Sequence, residues 1–223
     1  LQKRATRIPL SYLTGTAEFM GLPFQVNSSV LIPRADTEIL VEETLPLLTP
    51  GTHFLDLCTG SGCIALSLLH FCEGTSAVAT DLSPDALHIA QKNAEKLGLQ
   101  SRISFLCCDL FPSYRKERFP LIVSNPPYIR TEVIPTLEAE VRDHEPVQAL
   151  DGGGDGLLFY RRILALIPHL LQKGGHLLLE IGYDQNAAVV SLMHQAGLVS
   201  VKSIQDLAGR DRVVCGTLPP LPL

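Results

Sequence analysis

The 223-residue chain is short of several things, and each shortage closes a class of function. It has no excess of basic charge. Eighteen Lys and Arg stand against 23 Asp and Glu, for a formal charge of −5 and a pI near 5.8. A domain-wide basic footprint for nucleic acid is therefore absent. The one dense basic cluster, Lys3, Arg4 and Arg7, reads as a solvated face. No apolar run approaches the roughly 20 residues of a membrane span, and no stretch reads as a signal peptide. The six cysteines, at 58, 63, 72, 107, 108 and 215, form no C-x-x-C pair, and the seven histidines show no ligand spacing near them. That pattern gives no metal site. Scattered thiols in strand-like runs fit burial in a reducing, cytoplasmic compartment, with Cys107 and Cys108 expected in the core. There is no internal repeat, no low-complexity tract and no convincing Ser/His/Asp or Cys/His nucleophile set.

What is present is a globular pattern, 46% hydrophobic and 18% charged, enough for one or two domains with a real core. "AEFMGLPFQVN" (17–27) reads as a small hairpin turning at Gly21–Leu22. "VLIPRADTEILVEETLPLL" (30–48) reads as a loop and a helix capped by Asp36 or Thr37. From Pro50–Gly51 onward, strands and helices alternate. Strands are predicted at 53–57, 76–81, 103–109, 121–125 and 175–182, and helices at 63–70, 83–98, 156–171 (disturbed at Pro168) and near 185–196. "LVSVKSIQD" and "RVVCGTL" close the chain as a strand pair. Such alternation builds right-handed βαβ units around a mostly parallel sheet. The expected fold is α/β: a doubly wound, Rossmann-like sheet over 51–218, with an antiparallel strand pair at one side. A hairpin-bearing segment over 1–50 precedes it, and a frayed tail over 219–223 follows.

Two strand ends carry chemistry. "LDLCTGSGCIAL" places Asp56 at a strand end, then Gly60 and Gly62, then a helix. Glycines let backbone turn tightly and approach a ligand. Asp81, at the end of the second strand, is placed to accept both hydroxyls of a ribose. The spacing Gly60-x-Gly62-x-x-Ala65 also fits a dinucleotide fingerprint, so a nicotinamide-dependent dehydrogenase is a rival from this loop alone. An acid beside the glycines, Asp56, suits an amine-bearing cationic ligand better than a pyrophosphate. S-adenosylmethionine has both a sulfonium and an α-amino group.

The second strand end is "LIVSNPPYIR" (121–130). Pro126 and Pro127 have no N–H and a fixed φ, so the strand stops at a stiff elbow with Asn125 at its tip. The Asn125 side-chain carbonyl and the Pro126 backbone carbonyl can both accept from one planar NH₂ group. Tyr128 offers a flat face for stacking. The gain is orientation of a nitrogen toward an electrophile. An ordinary turn with a capping Asn is the plain alternative.

Taken together, Gly60/Gly62, Asp81 and Asn-Pro-Pro-Tyr resemble class I S-adenosylmethionine-dependent N-methyltransferases. The longer stretches "PLSYLTGTAEFMGLPFQVNSSVLIPRADTEILVE", "EVRDHEPVQALDGGGDGL" and "LLLEIGYDQ…DLAGRDRVV" resemble the release-factor glutamine methyltransferase family, from about Arg7 to Gly216. That resemblance implies methyl transfer from S-adenosylmethionine to the glutamine amide of the Gly-Gly-Gln motif of peptide-chain release factors. By motif position, Cys58, Thr59, Gly60, Ser61 and Gly62 line the methionine side, Asp81 the ribose and Leu110 the adenine. Asn125, Pro126, Pro127 and Tyr128 hold the substrate amide, with Asn125 also a cofactor contact, and Arg34 helps close the cofactor site. The implied partner is a release factor met by a monomer in the cytoplasm, with no membrane and no direct nucleic acid. Members of the family usually carry an N-terminal helical domain, and the start "LQKRATRIPL" reads as the end of a helix whose upstream part is missing. Two positions depart from common methyltransferase patterns. Cys58 stands where glycine is frequent, and Leu110 where an aromatic is. An amino-group methyltransferase for bases shares the elbow and is the nearer rival; a non-catalytic nucleotide-binding module is the plainest. "DGGGDG" (151–156) reads equally as a lid or as a flexible loop, and His144 and Glu145 as surface-loop residues.

Overall fold

The computed structural model describes residues 5–112 and 116–220. Residues 1–4, read above as a helix end and part of the basic cluster, and residues 221–223 of the tail lie outside them. A short helix α1 (Leu10–Thr14) leads into a two-stranded antiparallel hairpin, β1 (Thr16–Phe19) and β2 (Leu22–Gln25). Its turn is at Met20–Gly21, one residue earlier than expected. Both residues have positive φ, and Phe19 pairs with Leu22, which is the geometry that matches strand twist in two-residue hairpins. Helix α2 (Ala35–Thr44) follows. Arg34, with extended backbone after Pro33, is its cap residue, in place of Asp36 or Thr37. Thr37 is turned inward instead and is 3% exposed.

The main sheet has seven strands in the order β5-β4-β3-β6-β7-β9-β8. These are β3 (His53–Leu57), β4 (Ser76–Asp81), β5 (Ile103–Cys107), β6 (Phe119–Ser124), β7 (Leu171–Glu180), β8 (Val199–Gln205) and β9 (Asp211–Thr217). The first five are parallel; β9 runs antiparallel between β7 and β8. Helices α3 (Cys63–Phe71), α4 (Pro84–Lys96), α6 (Leu158–Leu170) and α7 (Asn186–Gln195) connect them, with a single-turn α5 (Ala139–Arg142) in the loop after β6. Two apolar layers result. One packs α2 and α3 against one face of the sheet, with Phe54, Leu66 and Leu69. The other packs α6 and α7 on the opposite face, with Tyr160, Ile163 and Ile167. Helix α6 continues through Pro168, two residues before its end.

The chain order reverses at β3. From there it steps outward to β4 and β5, then returns to lay β6 on the other side. Leu57 of β3 pairs with Ser124 of β6, so the segments leaving these strands emerge side by side. A ligand crevice forms at such a switch point.

The thiols are less buried than the sequence pattern indicated. Cys63 alone is buried; Cys107 is exposed and Cys108 half-buried. Both sit at the end of β5, an edge strand whose last residues have one neighbour.

Candidate active site

The crevice at the β3/β6 switch point holds about 1050 Å³ of empty space including its open mouth. Its walls include Arg34, Cys58, Thr59, Gly60, Ser61, Asp81, Leu110, Asn125 and Pro127, nine of the residues the sequence singled out. Gly62, Pro126 and Tyr128 are not among these wall residues. Gly62 caps α3 with φ +81, and an added Cβ would lie 3.0 Å from Leu66 and 3.2 Å from Ala90, so it serves the close approach of α3 and α4.

The loop after β3 is built to present backbone. Gly60 has φ +56, and a Cβ there would meet nothing within 4 Å, so bare peptide faces open space. Cys58 and Leu110 adopt the same left-handed region at φ 59 and 58 without being glycine, a strain of about 1–2 kcal/mol each. The Cys58 thiol is pushed up by burial and by the charges of Asp81 and Asp56. It is therefore a packed thiol, not a nucleophile. Asp81 accepts from the Gly60 N–H at 2.8 Å and from the Ser83 N–H at 2.9 Å, one on each oxygen. Each oxygen keeps a further acceptor direction toward the crevice. Burial nevertheless raises its pKa.

Asp56 is a correction. It is fully buried and is not part of the crevice wall. It accepts from the Thr59 hydroxyl at 2.6 Å and faces the Ala65 amide, and burial pushes its carboxyl up to about 7. It bolts the glycine loop from behind. Asn93 of α4 does the same from the other side, donating to Ser61 at 2.9 Å and bonding both backbone groups of Gln25. The N-terminal hairpin is thereby tied to the loop.

At the reacting end, the Asn125 side-chain N–H donates to the Thr37 hydroxyl at 3.2 Å. Its carbonyl oxygen is left as an acceptor. The Tyr128 hydroxyl donates to Glu180 at 3.3 Å. Behind Tyr128 lies the Gly-rich loop, packed against the elbow. Gln185 donates to the Tyr128 carbonyl at 2.9 Å, and the backbone N–H groups of Ile129 and Gly152 donate to the Leu150 and Ile129 carbonyls. A Cβ on Gly152 would lie 2.7 Å from the Tyr128 Cα. These glycines let one backbone lie directly on another.

Glu145 is a second correction. It is 4% exposed and receives the Arg34 guanidinium, holding that side chain at the crevice. His144 is half-buried and contacts the Thr6 carbonyl at 3.0 Å. The sequence reading missed Phe159 and Arg162, which line the crevice beside Leu110; Arg162 lies over the Phe159 ring and pairs with Asp109 at 2.6 Å. An apolar ring at the start of an amphipathic helix gives no signal that distinguishes it from core.

Residues 34–173 match the family model of the methyltransferase small domain. The doubly wound sheet, its switch-point crevice and this match define the class: a methyltransferase. Within that class the chain belongs to the release factor glutamine methyltransferase family. The Moorella thermoacetica member is 48% identical over 215 residues, covering 95% of this chain and 76% of that protein. The Geobacter sulfurreducens member is 45% identical over 216 residues, covering 97% and 75%. Among solved structures, a release factor-specific protein-(glutamine-N5) methyltransferase from Alicyclobacillus acidocaldarius is 35% identical, with a TM-score of 0.52, covering 88% of this chain and all of that one.

Proposed function

We propose that this chain transfers a methyl group from S-adenosylmethionine to the side-chain amide nitrogen of the glutamine in the Gly-Gly-Gln motif of a peptide-chain release factor, in the cytoplasm. The observation that carries the reading is the orientation of Asn125. Its N–H is taken by Thr37, so its carbonyl oxygen is what the crevice receives. A glutamine NH₂ donates, and it needs an acceptor there.

The crevice fits the cofactor on its own features. Bare peptide at Gly60, acceptor capacity on Asp81 and an apolar patch at Leu110 and Phe159 suit backbone contact, a ribose and an adenine in turn. S-adenosylmethionine supplies an electrophilic methyl group on a sulfonium. Everything else falls to the chain. Asn125 and the Pro126 carbonyl accept the two amide hydrogens and fix where the nitrogen points. Tyr128 stacks on the planar amide. Arg34, pinned by Glu145, closes the cofactor side. An amide nitrogen is a poor nucleophile, because its lone pair is delocalised, so orientation is where the rate is gained.

The test is a substrate panel. With methyl-labelled S-adenosylmethionine, label should enter a release factor and stay out of duplex DNA and tRNA. Label in nucleic acid with an unlabelled release factor would overturn the proposal in favour of base methylation.

A further inference from the structure

One buried side chain behind the elbow has no place in the crevice wall and no task in the chemistry described so far. Gln185, the cap residue of α7, is 5% exposed and stands where the segments carrying Tyr128, Gly156 and Gly182 converge. Its Nε2 donates to the Tyr128 carbonyl at 2.9 Å and to the Gly156 carbonyl at 3.2 Å. Its Oε1 accepts from the Gly182 N–H at 2.9 Å and from the Tyr160 hydroxyl at 3.2 Å. We propose that Gln185 is a positioning residue: its amide grips the Tyr128 carbonyl from behind and so fixes the direction in which the elbow presents the Asn125 and Pro126 acceptors. The inference rests on the reading that this elbow holds the substrate amide.

A glutamine amide has two hydrogens to give and two lone pairs to fill. All four are used here. Two carbonyls face one end, and an N–H and an O–H face the other, so a single orientation of the amide satisfies every partner. Turning it would orphan buried polar groups at a cost no exposed glutamine meets. The backbone around it is cleared to admit it. A Cβ on Gly156, which has φ +73, would lie 2.6 Å from both the Gln185 Nε2 and the Tyr128 carbonyl oxygen, and one on Gly182 would lie 2.9 Å from the Gln185 Oε1.

The grip matters because of what lies just upstream. Pro126 and Pro127 have no N–H by which the middle of the elbow could be held. The elbow is therefore fixed from its ends. On one side Ser124 is paired with Leu57 of β3 and Leu179 of β7. On the other side stands the peptide between Tyr128 and Ile129. Gln185 holds its carbonyl, and its N–H donates to the Leu150 carbonyl at 2.9 Å. Pro127 has a locked φ, so a displaced Tyr128 carbonyl is passed up the chain to Pro126 instead of being absorbed. The reacting geometry tolerates little of this, since a misplacement of about 1 Å can cost on the order of 10² in rate. The two ends of the side chain also have separable duties. Oε1 ties the turn before α7, and Nε2 holds the elbow. Gln185→Glu keeps the shape and the two acceptor contacts but sets a carboxylate oxygen against two carbonyl oxygens. Gln185→Met keeps the length and loses both ends. A residue that served only the turn before α7 would tolerate Glu, because an acid near a helix N-terminus is favourable.

The experiment measures single-turnover transfer to a release factor by the full chain, with cofactor saturating and at a temperature where every variant is folded. Both variants should be slower by roughly tenfold to a hundredfold. The dissociation constant for S-adenosylmethionine should stay within about threefold, because Gln185 is not in the crevice wall. Two further readouts need no activity. The backbone ¹⁵N–¹H resonance of Ile129, whose nitrogen shares a peptide with the Tyr128 carbonyl, should move in both variants, while those of Gly60 and Ser83, held by Asp81, should not. In the wild type, the Gln185 side-chain NH₂, assigned through bonds, should exchange slowly with water, since both of its hydrogens are engaged; this readout stands even if a variant fails to fold. A wild-type transfer rate in either folded variant would overturn the inference, as would rapid exchange of that NH₂. A cofactor affinity that falls as far as the rate would also overturn it, by making Gln185 a general support of the fold. If the resonances behave as expected but the wild type leaves the release factor unmethylated, the grip on the elbow stands and the substrate reading falls.

Discussion

At the scale of single residues, the site separates into parts that a local pattern announces and parts that it cannot. Gly60, Asp81 and Asn125 are legible because each sits at a strand end followed by a turn of fixed chemistry. Thr37 and Glu180 are not. Their partners lie 88 and 52 residues away along the chain, and a Thr in the first turn of a helix reads as a cap. Asp56 misled for the opposite reason: an acid next to a glycine loop reads as a ligand contact, but full burial turns it into a bolt. Two substitutions follow. Asn125→Ala should slow methyl transfer by roughly 10²–10³-fold, far more than it weakens cofactor binding, because an acceptor at the reacting nitrogen is removed. A wild-type single-turnover rate would reduce the elbow to a turn. Asp81→Asn replaces a charged acceptor that already holds the Gly60 and Ser83 amides. It should weaken S-adenosylmethionine binding by about 1.5–3 kcal/mol, as for hydrogen bonds to a charged group. Titration calorimetry showing an unchanged dissociation constant would move the ribose elsewhere.

At the scale of elements, strand existence and order were readable to within a few residues, and β3 and β4 fall where the pattern put them. Periodicity reports burial face, and these central strands are buried on both faces, so they stand out as short apolar runs. The loops were not readable. "DGGGDG" carries the composition of a mobile segment, but its glycines are there because the Tyr128 backbone lies against them. "EVRDHEP" looks solvated, but Glu145 is buried under Arg34. The three segments "PRADTE", "LLLEIG" and "GRDRVV" are remote in the chain, and the fold brings Asp36 and Thr37, Glu180, and Arg212 from them into one cluster beneath the elbow. Gly152→Ala tests the loop assignment. Its Cβ would lie 2.7 Å from the Tyr128 Cα and 2.9 Å from the Gly156 carbonyl. Overpacking of that kind costs about 1–3 kcal/mol, so Tm should fall by roughly 2–10 °C, with activity lost in step. Gly154→Ala, where an added Cβ meets nothing within 4 Å, should stay within about 0.5 kcal/mol of the wild type. Equal effects at both glycines would show that the loop is slack.

At the scale of the whole molecule, two buried acids give stability a pH dependence. Burial raises both Asp56 and Glu180 to about 7, above their ordinary unfolded values near 4. The stability tied to a raised carboxyl is fully present below the unfolded value and is lost as pH climbs to the folded one. Between about pH 4 and 7, therefore, Tm should decline as pH rises. The carboxylates held low by arginine or backbone partners, Asp143, Asp155 and Asp206, act at lower pH and do not blur this window. Asp56→Asn should flatten the decline. Calorimetry that finds equal slopes in variant and wild type would show that Asp56 titrates normally. The same burial that makes these acids costly places them under the switch point, where one supports the cofactor loop and the other the elbow. What the two halves do together is best tested by finding where the methyl group goes. Incubate a release factor with S-adenosylmethionine and the wild-type chain, digest it, and sequence the modified peptide by mass spectrometry. The methyl group should sit on the side-chain nitrogen of the glutamine in Gly-Gly-Gln and be absent with Asn125→Ala; a methyl group on another residue, or on that glutamine at an undiminished rate in the variant, would contradict it.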